Sequence, residues 1–225
     1  MNLNRKLMSL TVVALLGFAV PAIAAEGEWK KLLDGELKEH WTTEGNWKLE
    51  DGVVTLTPRQ GESGWTRYGS YLWLEGDYQD FEISFDYKVQ KGGNSGFYFH
   101  VGDVKEPVAT GIEVQIYDSG SKAKDAKLTD HDSGGVIPGI PPTKNTAKPA
   151  GEWNTMEIAI DGQRTIVHVN GVLVTDYDGK SPVPERVHPW EPQRGPRPDS
   201  GYIGVQGHDD RATFYFKEIS VTPLR

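Results

Sequence analysis

The chain has 225 residues with no cysteine, and its 24 Lys and Arg against 32 Asp and Glu give a net charge of −8. Without cysteine, disulfides, thiol nucleophiles and thiolate metal sites are excluded, so stability must come from packing. The acidic balance repels phosphate backbones and anionic lipid, which argues against nucleic acid as a partner.

The first element is a leader rather than part of a fold. Arg5 and Lys6 precede a run at 7–20 that is apolar apart from Ser9 and Thr11. Pro21 then breaks it, and Ala22-Ile23-Ala24 supplies the small residues a signal peptidase reads. Residues 1–24 therefore read as a secretory signal cleaved before Ala25. The apolar run falls short of the roughly 20 residues needed to cross a bilayer, and no later stretch is apolar enough. The expectation is an exported protein, periplasmic or extracellular, with no membrane span. Residues 25–225 are expected to form a single domain of a size that buries its own core.

Strand signals follow in order. Residues 46–49 and 53–56 flank Asp51-Gly52, a hairpin pattern. From Phe81 to Val89, apolar Phe81, Ile83, Phe85, Tyr87 and Val89 alternate with Glu82, Ser84, Asp86 and Lys88, giving one dry and one wet face. In Gly96-Phe97-Tyr98-Phe99-His100, Phe97 and Phe99 share one face while Tyr98 and His100 share the other. In Ile112 to Tyr117 the wet face carries Glu113, Gln115 and Tyr117. Residues 153–160, 164–169 and 172–177 form a meander turned at Asp161-Gly162 and Asn170-Gly171. Residues 202–206 and 213–221 close the chain, with Ile203 and Val205 inward, Tyr202 and Gln206 outward, and His208 continuing on the side of Gln206. With no long helical period, the fold class is all-β, a two-sheet β-sandwich or jelly roll.

Two long segments, 119–151 and 178–200, are rich in proline and read as binding loops; the second offers Trp190, Arg194 and Arg197 for stacking and hydrogen bonding. Asp125, Asp130, His131 and Asp132 cluster without the spacing of a calcium loop and read as solvated loop charge. There is no nucleophile elbow, no His-Glu-x-x-His helix and no phosphate-cradling glycine loop. What remains is a wet face of Tyr98, His100, Glu113, Gln115, Tyr117, Gln206 and His208, with directional donors and acceptors beside aromatic planes. Such a face suits a small polar ligand, above all a sugar.

Several segments carry a resemblance in order: Asp80-Phe81-Glu82-Ile83, Gly92-Gly93-Asn94-Ser95-Gly96, Glu113-Val114-Gln115-Ile116, Gly151-Glu152-Trp153-Asn154, Asn170-Gly171 and Gly204-Val205-Gln206-Gly207-His208. Together they resemble the 3-keto-disaccharide hydrolase domain, a family with a concanavalin-like, lectin-like jelly roll. The resemblance implies an enzyme that cleaves 3-keto-glycosides or 3-keto-disaccharides, by hydrolysis or by elimination. The alternative is a non-catalytic carbohydrate-binding module of the same fold. By motif position it implies Glu113 and His208 as catalytic residues, either of them the base, with Asn94, Gln115 and Gln206 orienting hydroxyls and the keto oxygen. Tyr98, His100, Tyr117 and Trp190 complete the expected substrate-binding set. A divalent metal ion is a candidate cofactor, with His100, Glu113 and His208 as its candidate ligands. Two departures stand out: the last motif reads Gln206-Gly207-His208-Asp209 where the family often has Gln-Asp-His-Gly, and Ser133-Gly134-Gly135-Val136 lacks the usual aromatic.

Overall fold

The computed structural model describes residues 27–57, 70–185, 198–208 and 213–224. The leader expected at 1–24 lies outside these residues, as do Trp190, Arg194, Arg197 and Asp209. In chain order the strands begin β1 (Lys30–Lys31), β2 (Trp41–Thr42), β3 (Trp47–Glu50), β4 (Val53–Leu56), β5 (Leu72–Tyr78), β6 (Phe81–Val89) and β7 (Asn94–Val101). They continue as β8 (Ile112–Tyr117), β9 (Val136–Ile137), β10 (Asn154–Asp161), β11 (Arg164–Val169), β12 (Val172–Tyr177), β13 (Gly201–Val205) and β14 (Phe214–Pro223).

These strands make two antiparallel sheets. The 8-stranded sheet runs β12-β11-β10-β6-β14-β4-β3, with β1 beside β14, and the 6-stranded sheet runs β2-β5-β13-β7-β8-β9. The alternation in β6 is obeyed residue by residue: Phe81, Ile83, Phe85, Tyr87 and Val89 are buried while their neighbours keep contact with solvent. The dry faces meet ring against ring. Phe85 of β6 lies 6.0 Å from Phe97 of β7 and 5.9 Å from Phe216 of β14. Burying one such ring contributes about 1.5–3 kcal/mol, and the rings interlock the two layers.

Turn chemistry fixes the registers. Asp51 and Gly52 have φ of 51° and 74°, and Asn170 and Gly171 have 54° and 73°, so both hairpins use turns with two left-handed residues. The third turn sits one residue later than expected, because Asp161 pairs with Arg164 and leaves Gly162 (φ 58°) and Gln163 as its centre. The strand β5 escapes a reading by alternation, since Tyr71, Leu72, Trp73 and Leu74 are all buried and no polar face marks a period.

Residues 119–151 are no free loop. Gly134 donates its N–H to Gln115 O of the 6-stranded sheet at 2.9 Å, while Thr175 Oγ1 of the other sheet donates to Gly134 O at 2.6 Å. Thr146 Oγ1 adds a bond to Val169 O at 2.9 Å. The segment thus straps β8 to β11 and β12 across the open edge of the sandwich. Within it Asp132 departs from the expectation of solvated charge: it is fully buried, 2.6 Å from Lys122 Nζ. Burial opposes its ionisation, but Lys122 and the Thr129 N–H hold its carboxyl below the ordinary range.

Candidate active site

Residues directly opposite one another in an antiparallel sheet point to the same face. Register therefore places Trp73, Gly204, Tyr98, Glu113 and Ile137 in one row across the outer side of the 6-stranded sheet. Gly96 pairs with Gln115 and Asn94 with Tyr117 on the same side. Gln206 joins them by donating its backbone N–H to Gly96 O at 2.8 Å.

Two glycines make this face hollow. A Cβ on Gly96 would collide with the Glu113 carboxyl, and a Cβ on Gly204 would collide with the indole of Trp73. Their absence lets both side chains lie flat across a neighbouring strand. Tyr71 stacks on Trp73 at 4.8 Å and meets Tyr98 edge-on at 5.2 Å. These three rings and Val101 form a small buried cluster of their own, roofed by Val104 and Val108.

A chain of hydrogen bonds runs through the face. Gln206 Nε2 donates to the Tyr71 hydroxyl at 2.8 Å and, more weakly, to that of Tyr98 at 3.4 Å. The Tyr98 hydroxyl donates to Glu113 Oε2 at 2.7 Å. Burial pushes the Glu113 carboxyl up to about 7, against the lowering effects of the Tyr98 bond and of His131. Burial, reinforced by Glu113 and Tyr71, drives the Tyr98 hydroxyl well above its ordinary value, so it stays a donor. Farther along, Asn94 Nδ2 lies 3.3 Å from His208 Nε2; with the amide donating, the imidazole proton sits on Nδ1.

Two acceptors are left over. Asn94 Oδ1 and Gln206 Oε1 are buried and have no hydrogen-bond partner among the described residues. Leaving a buried acceptor unmet costs about 1–3 kcal/mol, which a ligand hydroxyl would remove. Asn94, Glu113, Tyr117 and His208 are only partly buried, so the face opens to solvent on their side.

The structure thus gathers Asn94, Tyr98, Glu113, Gln115, Tyr117, Gln206 and His208 on one face. Gln115 is buried there with its Oε1 on the Ile116 N–H at 3.2 Å, and Tyr117 has Lys122 Nζ 5.7 Å from its ring centre. His100 departs from the expectation. It has φ of 50° at a point where the β7–β13 register slips between Tyr202 and Gly204, a bulge that breaks the alternation. Its Nε2 bonds Gln79 O at 2.8 Å and its ring packs on Phe99, while Val101 takes the place on the site face. His100, Glu113 and His208 therefore do not converge, and among the described residues no group of three or more His, Asp or Glu is placed to hold a metal. Trp190, expected to bind substrate, lies outside the described residues. The alternation missed Tyr71 and Trp73; the signal that could have found them is two aromatics two residues apart in a wholly apolar run.

Comparison with known proteins bears on the fold and the family. A curated 3-keto-disaccharide hydrolase of Bacteroides thetaiotaomicron is 29% identical over 237 residues, spanning 86% of this chain and 77% of its own. A solved structure from Parabacteroides distasonis, provisionally named a glycosyl hydrolase, superposes with a TM-score of 0.67 at 25% identity, over 87% of this chain and 99% of its own. A Bacillus subtilis protein with a galectin-like fold superposes at 0.58 with 13% identity, over 87% and 94%, which bears on the fold alone. The two-sheet sandwich is thus the jelly roll expected from the sequence. The family model for the 3-keto-alpha-glucoside-1,2-lyase-like domain matches residues 28–222, and to that family this chain belongs.

Proposed function

We propose that this chain is an exported enzyme that cleaves glycosides carrying a ketone at carbon 3 of the sugar. Membership of the family and the name of the curated relative support the substrate class. The observation that carries the reading is Glu113, an enclosed carboxyl held by Tyr98 with its proton affinity raised to about 7. A general base is most effective when its pKa lies near the working pH.

The chemistry needs such a base. A ketone at carbon 3 acidifies the hydrogen on carbon 2. Glu113 takes that proton, and the electron pair of the broken C–H bond passes to the carbon 3 oxygen as an enolate. Collapse of the enolate restores the ketone, forms a double bond between carbons 1 and 2, and breaks the bond from carbon 1 to the aglycone oxygen. Water then adds across the new double bond. No second carboxylate at glycosidase spacing is required. Asn94 Oδ1 and Gln206 Oε1 supply acceptors for sugar hydroxyls. His208 keeps the Asn94 amide in place, and Trp73 with Tyr71 closes the floor against water.

The test uses a 3-keto-glucoside with a chromogenic aglycone beside the unoxidised glucoside. Release is expected from the keto substrate alone, and Glu113→Gln should lower it by about 10²–10⁴-fold while the melting transition persists. Equal release from both glucosides would overturn the reading. Binding without release would turn it to a sugar-binding module.

A further inference from the structure

The segment 129–132 holds a feature that the base alone leaves unused. Asp132 is consumed by Lys122 and the local backbone, but Asp130 is arranged differently. One of its oxygens lies 2.8 Å from His131 Nδ1, and the other accepts the Gly139 N–H at 2.6 Å. The carboxylate fixes the ring orientation and keeps the Nδ1 proton. In the imidazolium form the proton that can leave is therefore the one on Nε2, and its loss gives the neutral Nδ1–H tautomer.

The position of this pair is set by the sheet. Gly139 follows β9, whose Ile137 stands directly opposite Glu113. Gly135 continues the same line opposite Gln115, accepting its N–H at 2.8 Å, so position 135 faces the same side as Glu113 and Gln115. A Cβ there would strike the backbone of Asp130, so the chain at Asp130 lies directly on the site face. His131, the next residue along, keeps more than half of its side chain exposed. Both members act on the Glu113 charge, His131 favouring it and Asp130 opposing it, as neighbours of that carboxyl would. Among the described residues, Glu113 from β8 and Asp130 from its own segment are titratable groups coupled to His131.

We infer that His131, oriented by Asp130, is the acid that protonates the departing aglycone oxygen. This rests on the reading of Glu113 as the base. In the step, the Nε2–H bond breaks and the proton goes to the glycosidic oxygen as its bond to carbon 1 breaks. The enolate pair becomes the double bond between carbons 1 and 2. His131 is left neutral and Glu113 protonated. Run in reverse with water in place of the alcohol, the pair adds hydroxide to carbon 1 and a proton to carbon 2, so both groups reset. The substrates that need this acid are those whose aglycone is an ordinary alcohol or a second sugar; a nitrophenolate leaves without help.

Three variants, His131→Asn, Asp130→Asn and Glu113→Gln, separate the two roles. Aglycone release is compared between a methyl and a nitrophenyl 3-keto-glucoside, and base action is followed as deuterium exchange at carbon 2 in heavy water. His131→Asn should lower release of methanol by about 10²-fold or more, and release of nitrophenol by less than tenfold, with exchange retained. Asp130→Asn should follow the same pattern more weakly, and Glu113→Gln should abolish exchange. Equal loss with both aglycones, or unchanged methanol release, would overturn the role of His131 while leaving the base in place. If the unaltered protein neither exchanges nor releases, the 3-keto reading itself falls, and this inference with it.

Discussion

On β6, the middle strand of the larger sheet, the outward residues are Glu82, Ser84, Asp86 and Lys88. Around them long cations lie on aromatic planes, with Lys88 Nζ 4.4 Å from the Tyr215 ring centre and Lys217 Nζ 4.7 Å from that of Trp153. On β7 and β8 of the smaller sheet, the outward residues are Asn94, Gly96, Tyr98, Glu113, Gln115 and Tyr117. The inner faces of the two sheets are alike, but a carboxylate has a different life on each outer face. Glu82 is raised above its ordinary range by partial burial and then by Glu157, beside open water. Glu113, buried against Gly96 and held by the Tyr98 hydroxyl, reaches about 7. Cover over the sheet, more than residue type, turns a surface glutamate into a base.

The comparison can be broken most forcefully through the shared core. Phe85→Ala should cost about 3–5 kcal/mol in denaturant unfolding, because its ring touches Phe216 in its own sheet and Phe97 in the other. A loss confined to one sheet would contradict a single interlocked core. Gly96→Ala tests the smaller sheet alone: the added methyl displaces the Glu113 carboxyl, and turnover of the keto substrate should fall by about 10²-fold with cooperative unfolding retained.

The pH dependence sharpens the contrast between the carboxylates. Glu113 binds its proton up to about 7 in the folded chain, against an ordinary 4.5. The folded state therefore holds the extra proton in that window, and stability should fall as pH rises from 4.5 to 7 and level off above it. In Glu113→Gln this fall, on the order of 3 kcal/mol between the two plateaus, should disappear. Release of nitrophenol, which needs no acid, should run the other way, rising through pH 7 as the base ionises. The smallest effect belongs to the outer face of the larger sheet. Arg164→Ala, which removes an exposed pair with Asp176 at 2.7 Å, should change stability by less than about 0.5 kcal/mol and leave turnover unchanged.

How much of this was legible in the sequence follows from the same contrast. The β6 strand and the Asp51-Gly52 and Asn170-Gly171 turns could be read directly, because water on one face of a strand and positive φ in a turn both leave marks on residue choice. Tyr98, Glu113 and Gln115 could be read from alternation, since their dry-face neighbours Phe97, Val114 and Ile116 are strictly apolar. Tyr71 and Trp73 could not, because a strand covered on both sides has no period of two. His100 was misplaced by a bulge, and nothing in Phe99-His100-Val101 announces its left-handed backbone. The Asp130–His131 pair looked like loop charge, because contacts made across a long segment leave no local pattern.

The strap between the sheets has a consequence for the company the protein keeps. A sandwich exposes strand edges, and an unguarded edge invites another chain to pair with it. Here the outermost strand beside the site, β9, is two residues long, and Val136 spends its own N–H and C=O on Ile140 at 2.9 Å each. A second molecule approaching that edge meets a closed turn and a proline in place of a free ladder. The same segment that walls the site therefore protects this flank of the protein from aggregation.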